Sequence, residues 1–318
     1  DDKPAATIDT APIAPYQPTA SDDAATDQRR DATPRPQCLV IGPYASATER
    51  DRTARQLQQM KIDAPLIAAK AKPGQFIILR IDEKGERIPL TIAGYDRKEG
   101  TITIIFQMVG KTTMHLGTLE VGDSIRDFVG PLGRASELEG YKKACVIGGG
   151  LGTAIAFPQA KELHEQGAEV DIIAGFRNKD LIILEEEMKQ NAANVYITTD
   201  DGSNGTKGFV TDVLKELLKT KTYDVVIAIG PLIMMKFVSM ITKEAGIKTI
   251  VSMNSVMVDG TGMCGGCRLT VGGETKFACV DGPDFDGHLV DFDEAIMRGS
   301  RYKKEEEHSC KLGGYTNA

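Results

Sequence analysis

The stretch Val-Ile-Gly-Gly-Gly-Leu-Gly-Thr-Ala, residues 146–154, decides the fold of this chain. It follows an apolar run typical of a strand and opens a segment with a helical apolar pattern. The glycines let a pyrophosphate approach backbone N–H groups, and a helix N-terminus favours its negative charge. Tight strand-to-helix turns also need glycine, so the surrounding sequence has to distinguish a nucleotide site from a plain turn.

Strands and helices alternate from about Tyr141 onward. Short β-branched runs predict strands at residues 144–147, 169–174, 195–199, 225–229 and 249–253. Helical patterns lie at residues 154–166, 184–190, 210–218 and 233–245. This alternation predicts a parallel, doubly wound α/β sheet, and in that context the glycine stretch indicates dinucleotide binding.

Ligands bind at the carboxyl ends of the strands in such a sheet. The predicted dinucleotide contacts there are Gly148, Gly149, Gly150, Gly152, Thr153, Asp200, Asp201 and Gly230. A simple Asp-Gly turn also explains residues 200–202, and Gly230 with Pro231 could merely end a strand. No acidic ribose-binding residue follows the second strand. Arg177 stands nearby, either as a contact for a 2′-phosphate or as a solvated side chain, so NAD and NADP are both open.

The segment before the sheet predicts a small antiparallel barrel. Residues 76–81 and 101–106 are β-branched runs separated by glycine and charged turns. An arginine and a hydroxyl on one strand, Arg87 and Thr91, suit the pyrophosphate and polar edge of a flavin. The run Val-Gly-Lys-Thr-Thr, residues 109–113, opens a helical turn that suits the same phosphates and is too short for a P-loop.

A cysteine loop follows the sheet. It reads Asp-Gly-Thr-Gly-Met-Cys-Gly-Gly-Cys over residues 259–267, and Cys279 lies beyond it. Plant-type [2Fe–2S] proteins space their ligands Cys-x4-Cys-x2-Cys before a distant Cys. Here both gaps match, with Asp259 in the first position. The alternatives are structural zinc, for which only His288 could join the three cysteines, and an unmetallated dithiol.

The composition is that of a globular protein of two or three domains. The chain has 318 residues, 41% hydrophobic and 26% charged, and six cysteines, too few for a disulfide scaffold of this length. Its net charge of −7 argues against a nucleic-acid partner. No apolar run reaches the roughly 18–20 residues of a membrane span, and no signal-peptide pattern is present. We therefore expect a cytoplasmic protein.

The N-terminal region has a different character. Residues 1–36, rich in Ala, Thr, Pro and Asp, predict a disordered linker. Residues 38–44 predict a short strand, and residues 48–60 predict a polar helix with Ala54, Leu57 and Met60 on one stripe.

Several quoted segments together carry a family resemblance. They are residues 72–76, 87–91, 109–113, 148–152, 259–279 and 281–288. From about residue 61 to 293 the chain resembles the small (alpha) subunit of NADH-dependent reduced ferredoxin:NADP oxidoreductase, the Nfn type. It is also similar to the electron-transfer subunit of dihydroorotate dehydrogenase B and to sulfide dehydrogenase small subunits. The resemblance implies a ferredoxin-reductase-like flavin barrel, a doubly wound NAD domain and a C-terminal [2Fe–2S] loop.

The resemblance also implies cofactors, contacts and partners. It implies FAD in the barrel, NAD(H) on the sheet and one [2Fe–2S] cluster in the loop. The implied flavin contacts are Arg87, Pro89, Leu90, Thr91, Gly110, Thr112 and Thr113. The implied cluster ligands are Asp259, Cys264, Cys267 and Cys279. Dihydroorotate-type subunits carry Cys at the first ligand position and Nfn-type subunits carry Asp, which favours the Nfn type. The implied partner is a large flavin and [4Fe–4S] subunit in a heterodimer, with ferredoxin reached through it.

The expected domain limits follow from these patterns. They are a linker at 1–36, a strand–helix segment outside the family at 37–60, a flavin barrel at 61–139, an NAD domain at 140–247, a cluster loop at 248–292 and a charged tail at 293–318. Residues 1–59 weakly resemble a linker plus half of a SPOR-type domain. The first barrel strand is therefore expected to be missing, or replaced by residues 38–44. The alternative of another class is a spliced cell-wall-binding fusion whose reductase body holds no cofactor.

Overall fold

The computed structural model of the protein describes residues 38–44 and 57–302, together with Glu305 and His308. Chain contacts separate Asp1–Pro36 from one compact unit, Gln37–Ala318. The predictions of a disordered linker and of a SPOR-type segment concern mainly residues outside the described ones.

The amino-terminal half forms a seven-stranded, barrel-like sheet in the order β6-β1-β2-β5-β4-β3-β7. Its strands are β1 Cys38–Tyr44, β2 Leu57–Asp63, β3 Phe76–Arg80, β4 Ile88–Asp96, β5 Thr101–Gln107, β6 Ser124–Ile125 and β7 Asp127–Leu132. Two short helices accompany it, α1 Pro65–Ala68 and α2 Lys111–Leu116. Neighbouring strands are antiparallel and enclose an isoleucine-rich core.

The predicted helix over residues 48–60 is wrong at its carboxyl end. Leu57 and Met60 lie in β2, which pairs with β5 along its whole length. Met60 and Ile62 are buried on one face, the alternation of a strand. Residues 48–56 lie outside the described ones.

Residues 38–44 supply the first strand of the barrel sheet. As β1 they pair with β2, with Val40 opposite Ile62, and with β6, with Cys38 opposite Ile125. The sheet therefore crosses the domain limit expected at residue 60, and a strand covers the edge of β2.

The second half is a six-stranded sheet in the order β10-β9-β8-β11-β12-β15. Its strands are β8 Lys143–Gly149, β9 Glu169–Phe176, β10 Asn194–Thr199, β11 Val225–Ile229, β12 Lys248–Ser252 and β15 Asp284–Asp286. All pairs are parallel except that of β15 with β12. The five predicted strands are present, with ends that differ by two residues or fewer.

Helices lie between the strands as predicted. They are α3 Gly152–Glu165, α4 Glu185–Gln190, α5 Val210–Leu217 and α6 Leu232–Glu244. A hairpin, β13 Arg268–Val271 with β14 Glu274–Phe277, follows the sheet, and α7 Ala278–Asp281 and α8 Phe292–Gly299 complete the fold. Within the described part of the chain, no helix is long and apolar enough to cross a bilayer.

A buried polar cluster joins the two halves. Asp284, at the start of β15, accepts hydrogen bonds from Ser136 Oγ (2.6 Å) and from Gln159 Nε2 of α3 (3.1 Å). Burial raises the pKa of Asp284, because the protein interior disfavours its charge. These bonds connect the segment after the barrel to the sheet and fix the sites described next.

Candidate cofactor sites

The glycine stretch forms a close contact between the ends of β8 and β11. A Cβ built on Gly152 would lie 2.3 Å from the carbonyl oxygen of Ile229, and one on Gly230 would lie 3.1 Å from Gly149 Cα. Gly150 has a φ of +56° and open space beside it. The buried Thr153 hydroxyl has no hydrogen-bond partner among the residues that the structure describes. The structure thus brings the predicted residues of β8, α3 and β11 together in a cradle that side chains would fill, and this cradle fits a dinucleotide.

Asp200 and Asp201 lie further along the same edge. The N–H of Asp200 donates to the carbonyl of Phe176 at 3.0 Å, which ties the end of β10 to the end of β9, next to Arg177. The carboxylate of Asp201 accepts the N–H of Ser203 at 2.9 Å. Hydrogen bonds from Ser203 lower the pKa of Asp201. These contacts are those of a turn, so a ligand role for both aspartates stays a prediction.

The predicted flavin strand β4 has one open edge. Residues 88–91 pair with β3, with Leu90 opposite Ile77, whereas the pairing with β5 begins at Ile92. In the described residues the backbone there has a strand on one side only, which leaves room for a ligand. Helix α3 of the glycine stretch contacts β4. The two predicted nucleotide sites therefore adjoin each other.

The hydroxyls near α2 already have partners. Thr112 Oγ1 donates to Glu86 Oε2 at 2.7 Å, and Thr113 Oγ1 accepts the N–H of Gly110 at 3.1 Å. The first contact holds the start of α2 beside the turn that precedes β4, and the second caps α2 itself. The first N–H groups of a helix have no partner inside it, so they are the groups left to hold a phosphate. The individual flavin contacts of Gly110, Thr112 and Thr113, and of Pro89, Leu90 and Thr91, stay predictions.

The four predicted cluster ligands lie in two pairs. Cys267 Sγ and Cys279 Sγ are 3.3 Å apart, and both side chains are buried. Asp259 Oδ2 accepts the backbone N–H of Cys264, an exposed cysteine, at 2.7 Å. Among the described residues no three His, Cys, Asp or Glu side chains surround a single metal position.

The pairing fits a binuclear cluster, in which each iron takes two protein ligands. Two thiolates on one tetrahedral metal ion, with metal–sulfur bonds of about 2.3 Å, lie roughly 3.8 Å apart. The separation of Cys267 and Cys279 is close to that value. Burial raises the pKa of Cys279 to about 12, and Cys267 adds to the effect. Because the thiolate is the ligand, metal binding here has to release protons.

The loop packs directly on the barrel. Gly260 has a φ of +74°, and a Cβ on it would lie 2.6 Å from Ile78 Cδ1. Arg87, the predicted flavin contact, donates from Nε to the carbonyl of Val258 at 3.0 Å. Hydrogen bonds from the N–H groups of Thr261 and then Cys264 lower the pKa of Asp259, so it stays a carboxylate. The barrel thus contacts the residues on both sides of Asp259, the first predicted cluster ligand.

Comparisons with known proteins agree with this arrangement. A family model described as the iron-sulfur cluster binding domain of dihydroorotate dehydrogenase B matches residues 254–291. An electron transfer subunit homolog of dihydroorotate dehydrogenase B (NAD(+)) from Thermotoga maritima is 47% identical over 78% of this chain and 88% of its own length. The electron transfer subunit from Fusobacterium nucleatum is 34% identical over 74% of this chain and 93% of its own.

The chain belongs to the family of dihydroorotate dehydrogenase B electron-transfer subunits and their homologues. A solved structure of the NADH-dependent reduced ferredoxin-NADP oxidoreductase, described in terms of flavin-based electron bifurcation, contains a chain with the same fold. That chain is 41% identical, with a TM-score of 0.81 over 88% of this chain and 98% of that one.

These findings confirm three predictions. The resemblance to the Nfn-type enzyme and the combination of a ferredoxin-reductase-like barrel with a doubly wound sheet are correct. The predicted cofactors are FAD, NAD(H) and a [2Fe–2S] cluster, and the family confirms FAD, NAD(P)H and a [2Fe–2S] cluster, without distinguishing NAD from NADP. The chain is accordingly a redox electron-transfer subunit of the flavin and iron–sulfur type.

Proposed function

We propose that this protein passes electrons between NAD(H) and a larger partner subunit in NADH-dependent ferredoxin:NADP oxidoreduction. The observation that carries the proposal is the carboxylate of Asp259, which stands where dihydroorotate-type subunits are expected to have cysteine. It is fixed in the loop by the N–H groups of Thr261 and Cys264 at 2.9 and 2.7 Å. The proposal is also supported by the 41% sequence identity to a chain of that oxidoreductase, which is matched over 98% of its length.

The protein's own residues would position the reactants. The glycines of the β8–α3 turn admit a pyrophosphate, and the open edge of β4 admits the flavin beside it. When bound at these residues, a flavin and a [2Fe–2S] cluster would supply hydride acceptance and single-electron transfer. The loop that presents Asp259 rests on the same barrel through Gly260 and Arg87, which keeps the carriers close.

The cluster loop also offers a surface for the partner. Apolar side chains are exposed on it and next to it: Met263 is 88% exposed, and Val256, Val258 and Val280 are between 39% and 49% exposed. Exposed apolar side chains grouped around an exposed ligand, Cys264, are typical of a protein interface. We propose that a large flavin and [4Fe–4S] subunit docks here and passes electrons to ferredoxin. Free thiols at Cys264, Cys267 and Cys279 suit a reducing, cytoplasmic location.

The test is to isolate the tagged chain from its native cells without oxygen. We expect flavin and [2Fe–2S] absorption bands that bleach with NADH, a co-purifying large subunit, and NADPH- and ferredoxin-dependent activity of the complex. A folded, colourless chain would refute the proposal.

The second candidate is the electron-transfer subunit of dihydroorotate or sulfide dehydrogenase. The match of the cluster domain favours the dihydroorotate enzyme of these two. A complex that oxidises dihydroorotate or turns over sulfide, and has no ferredoxin activity, would establish it instead.

A further inference from the structure

Two arginines of the barrel bond to the backbone beside the proposed cluster ligands. Arg87 Nε donates to the carbonyl of Val258, the residue before Asp259, at 3.0 Å. Arg134 follows β7, and its Nε donates to the carbonyl of Val280, the residue after Cys279, at 3.3 Å. These two bonds come from outside the loop. One lies next to Asp259, of the pair Asp259 and Cys264, and the other next to Cys279, of the pair Cys267 and Cys279.

Two further arginines bond to the turn between the other two ligands. Arg268 Nη1 donates to the carbonyl of Gly265 at 3.4 Å, and Arg298 Nη2 of α8 donates to that of Gly266 at 3.5 Å. Gly265 and Gly266 are the two residues of the Cys-x2-Cys turn. Each of the four proposed ligands therefore has a neighbouring carbonyl that faces a guanidinium group. We call Arg87, Arg134, Arg268 and Arg298 the guanidinium frame.

The frame concentrates positive charge in a protein whose net charge is −7. Burial lowers the pKa of Arg298, and the charges of Arg268 and Arg301 lower it further. The charge of Glu294 partly opposes this lowering, while its carboxylate also accepts the N–H of Thr270. Asp281 accepts the N–H of Phe277. The mutual repulsion of Arg268 and Arg298 is relieved when a negatively charged group lies beside them.

A cluster with three thiolates and one carboxylate is such a group. Its negative charge grows by one on reduction, and nearby charge is one of the protein's means of setting its potential. Resting on the cofactor assignment above, we propose that the guanidinium frame consists of positioning residues that raise the reduction potential of the cluster. The frame stabilises the reduced state by its charge and holds the loop by its carbonyl contacts.

The test is a potentiometric titration of the full chain, followed by the electron paramagnetic resonance of the reduced cluster. Arg134→Gln and Arg298→Gln should each lower the ratio of reduced to oxidised cluster at a fixed potential about tenfold, or about 59 mV for a one-electron couple. Arg134→Lys and Arg298→Lys keep the charge and should restore most of the ratio.

Arg97→Gln is the matched control. Arg97 Nη2 also donates to a backbone carbonyl, that of Ala71 at 2.9 Å, but at the far end of β4. The Arg97→Gln substitution removes the same charge and the same type of bond far from the loop. Its ratio of reduced to oxidised cluster should therefore equal that of the unmodified chain. Ratios within twofold of the unmodified chain in both Gln variants would overturn the proposal.

If a Gln variant loses the cluster, the iron and sulfide content of the corresponding Lys variant shows whether charge is the cause. A cluster that returns with Lys supports the role of charge, and a cluster absent from both overturns it. Failure of the cofactor assignment is distinguishable, because the unmodified chain would then give no [2Fe–2S] signal at all.

Discussion

Asp259 is the residue on which the functional assignment depends most. Its two oxygens accept separate backbone N–H groups, so its geometry is set by the loop before a metal binds. A carboxylate is a harder ligand than a thiolate and donates less charge to iron. The loop therefore combines one weak donor with three strong ones, and the weak donor is paired with the exposed Cys264.

Asp259→Cys should keep the cluster and lower its potential by tens of millivolts, because a thiolate donates more charge. Asp259→Ala leaves one pair with a single ligand and should lose most of the iron. Absorbance, iron content and a redox titration check both results. Equal potentials for the unmodified chain and the Asp259→Cys variant would show that the carboxylate is no ligand.

Asp171 contributes to stability near the amino end of β9, away from the carboxyl ends of the strands where the dinucleotide cradle lies. This buried residue of β9 accepts hydrogen bonds from Tyr223 (2.6 Å), Lys221 (2.5 Å) and Asn194 (2.7 Å). Burial alone would raise the pKa of Asp171, and the three donors outweigh it, so the pKa is lowered. Its contribution to stability is therefore present above the unfolded pKa of about 4 and is lost as pH falls through the folded pKa.

We expect Asp171→Asn to lower the free energy of unfolding by about 2 kcal/mol at pH 7, because Tyr223 and Lys221 lose a charged acceptor. The variant should also lose less stability than the unmodified chain between about pH 4 and pH 2. Urea unfolding across that range measures both effects. The exposed Asp180→Asn serves as the control, and parallel pH curves for Asp171→Asn and the unmodified chain would contradict the prediction.

At the scale of elements, the turn from β8 to α3 packs its backbone directly against the backbone of β11. Gly152 touches the end of β11, and no side chain fits between them. Gly152→Ala should weaken NADH binding at least tenfold and destabilise the chain by about 1–3 kcal/mol, because the turn has to shift. Gly299→Ala in α8 meets no neighbour and should leave both unchanged or slightly improve stability. Fluorescence titration with NADH and thermal unfolding provide the measurements.

The elements of the parallel sheet could be predicted because each signal is local. Buried strands such as Val225–Ile229 are continuous apolar runs with clear ends. The helix prediction for residues 57–60 was wrong because Leu57 and Met60 match a helical spacing by chance. Their structure is determined by pairing with β5, which is distant in sequence. The alternation of Met60 and Ile62 was the available signal.

The candidate site could be predicted only in part, for the same reason. The ligand spacing lies within one segment, whereas Arg87 and its acceptor Val258 are 171 positions apart. Arg134 and Arg298 carry no motif and approach the loop only in the folded chain. Glu86, the partner of Thr112, was missed likewise.

For the whole molecule, β1 completes the barrel sheet from residues that the sequence patterns had placed before the barrel. It covers β2 on one side and β6 on the other. The strand closes an edge that would otherwise expose unpaired N–H and C=O groups.

Two truncations test the importance of β1. A chain that begins at Gln37, the start of the compact unit, should keep its flavin and cluster. A chain that begins at Leu57 lacks β1 and should lose flavin severalfold and aggregate, because β2 then pairs only with β5 and β6 loses its pairing with β1. Flavin per chain and light scattering report the result. Equal flavin content in the two truncations would mean that β1 is dispensable.

The short distance between Cys267 and Cys279 also affects how the protein must be handled. Their sulfurs, 3.3 Å apart, need only a small movement to form a disulfide of about 2.05 Å. In air, a chain without its cluster is thus set to oxidise these two thiols, and the disulfide would block assembly. Colourless preparations can therefore arise from oxygen exposure, and treatment with a thiol reductant before iron and sulfide are added should recover them.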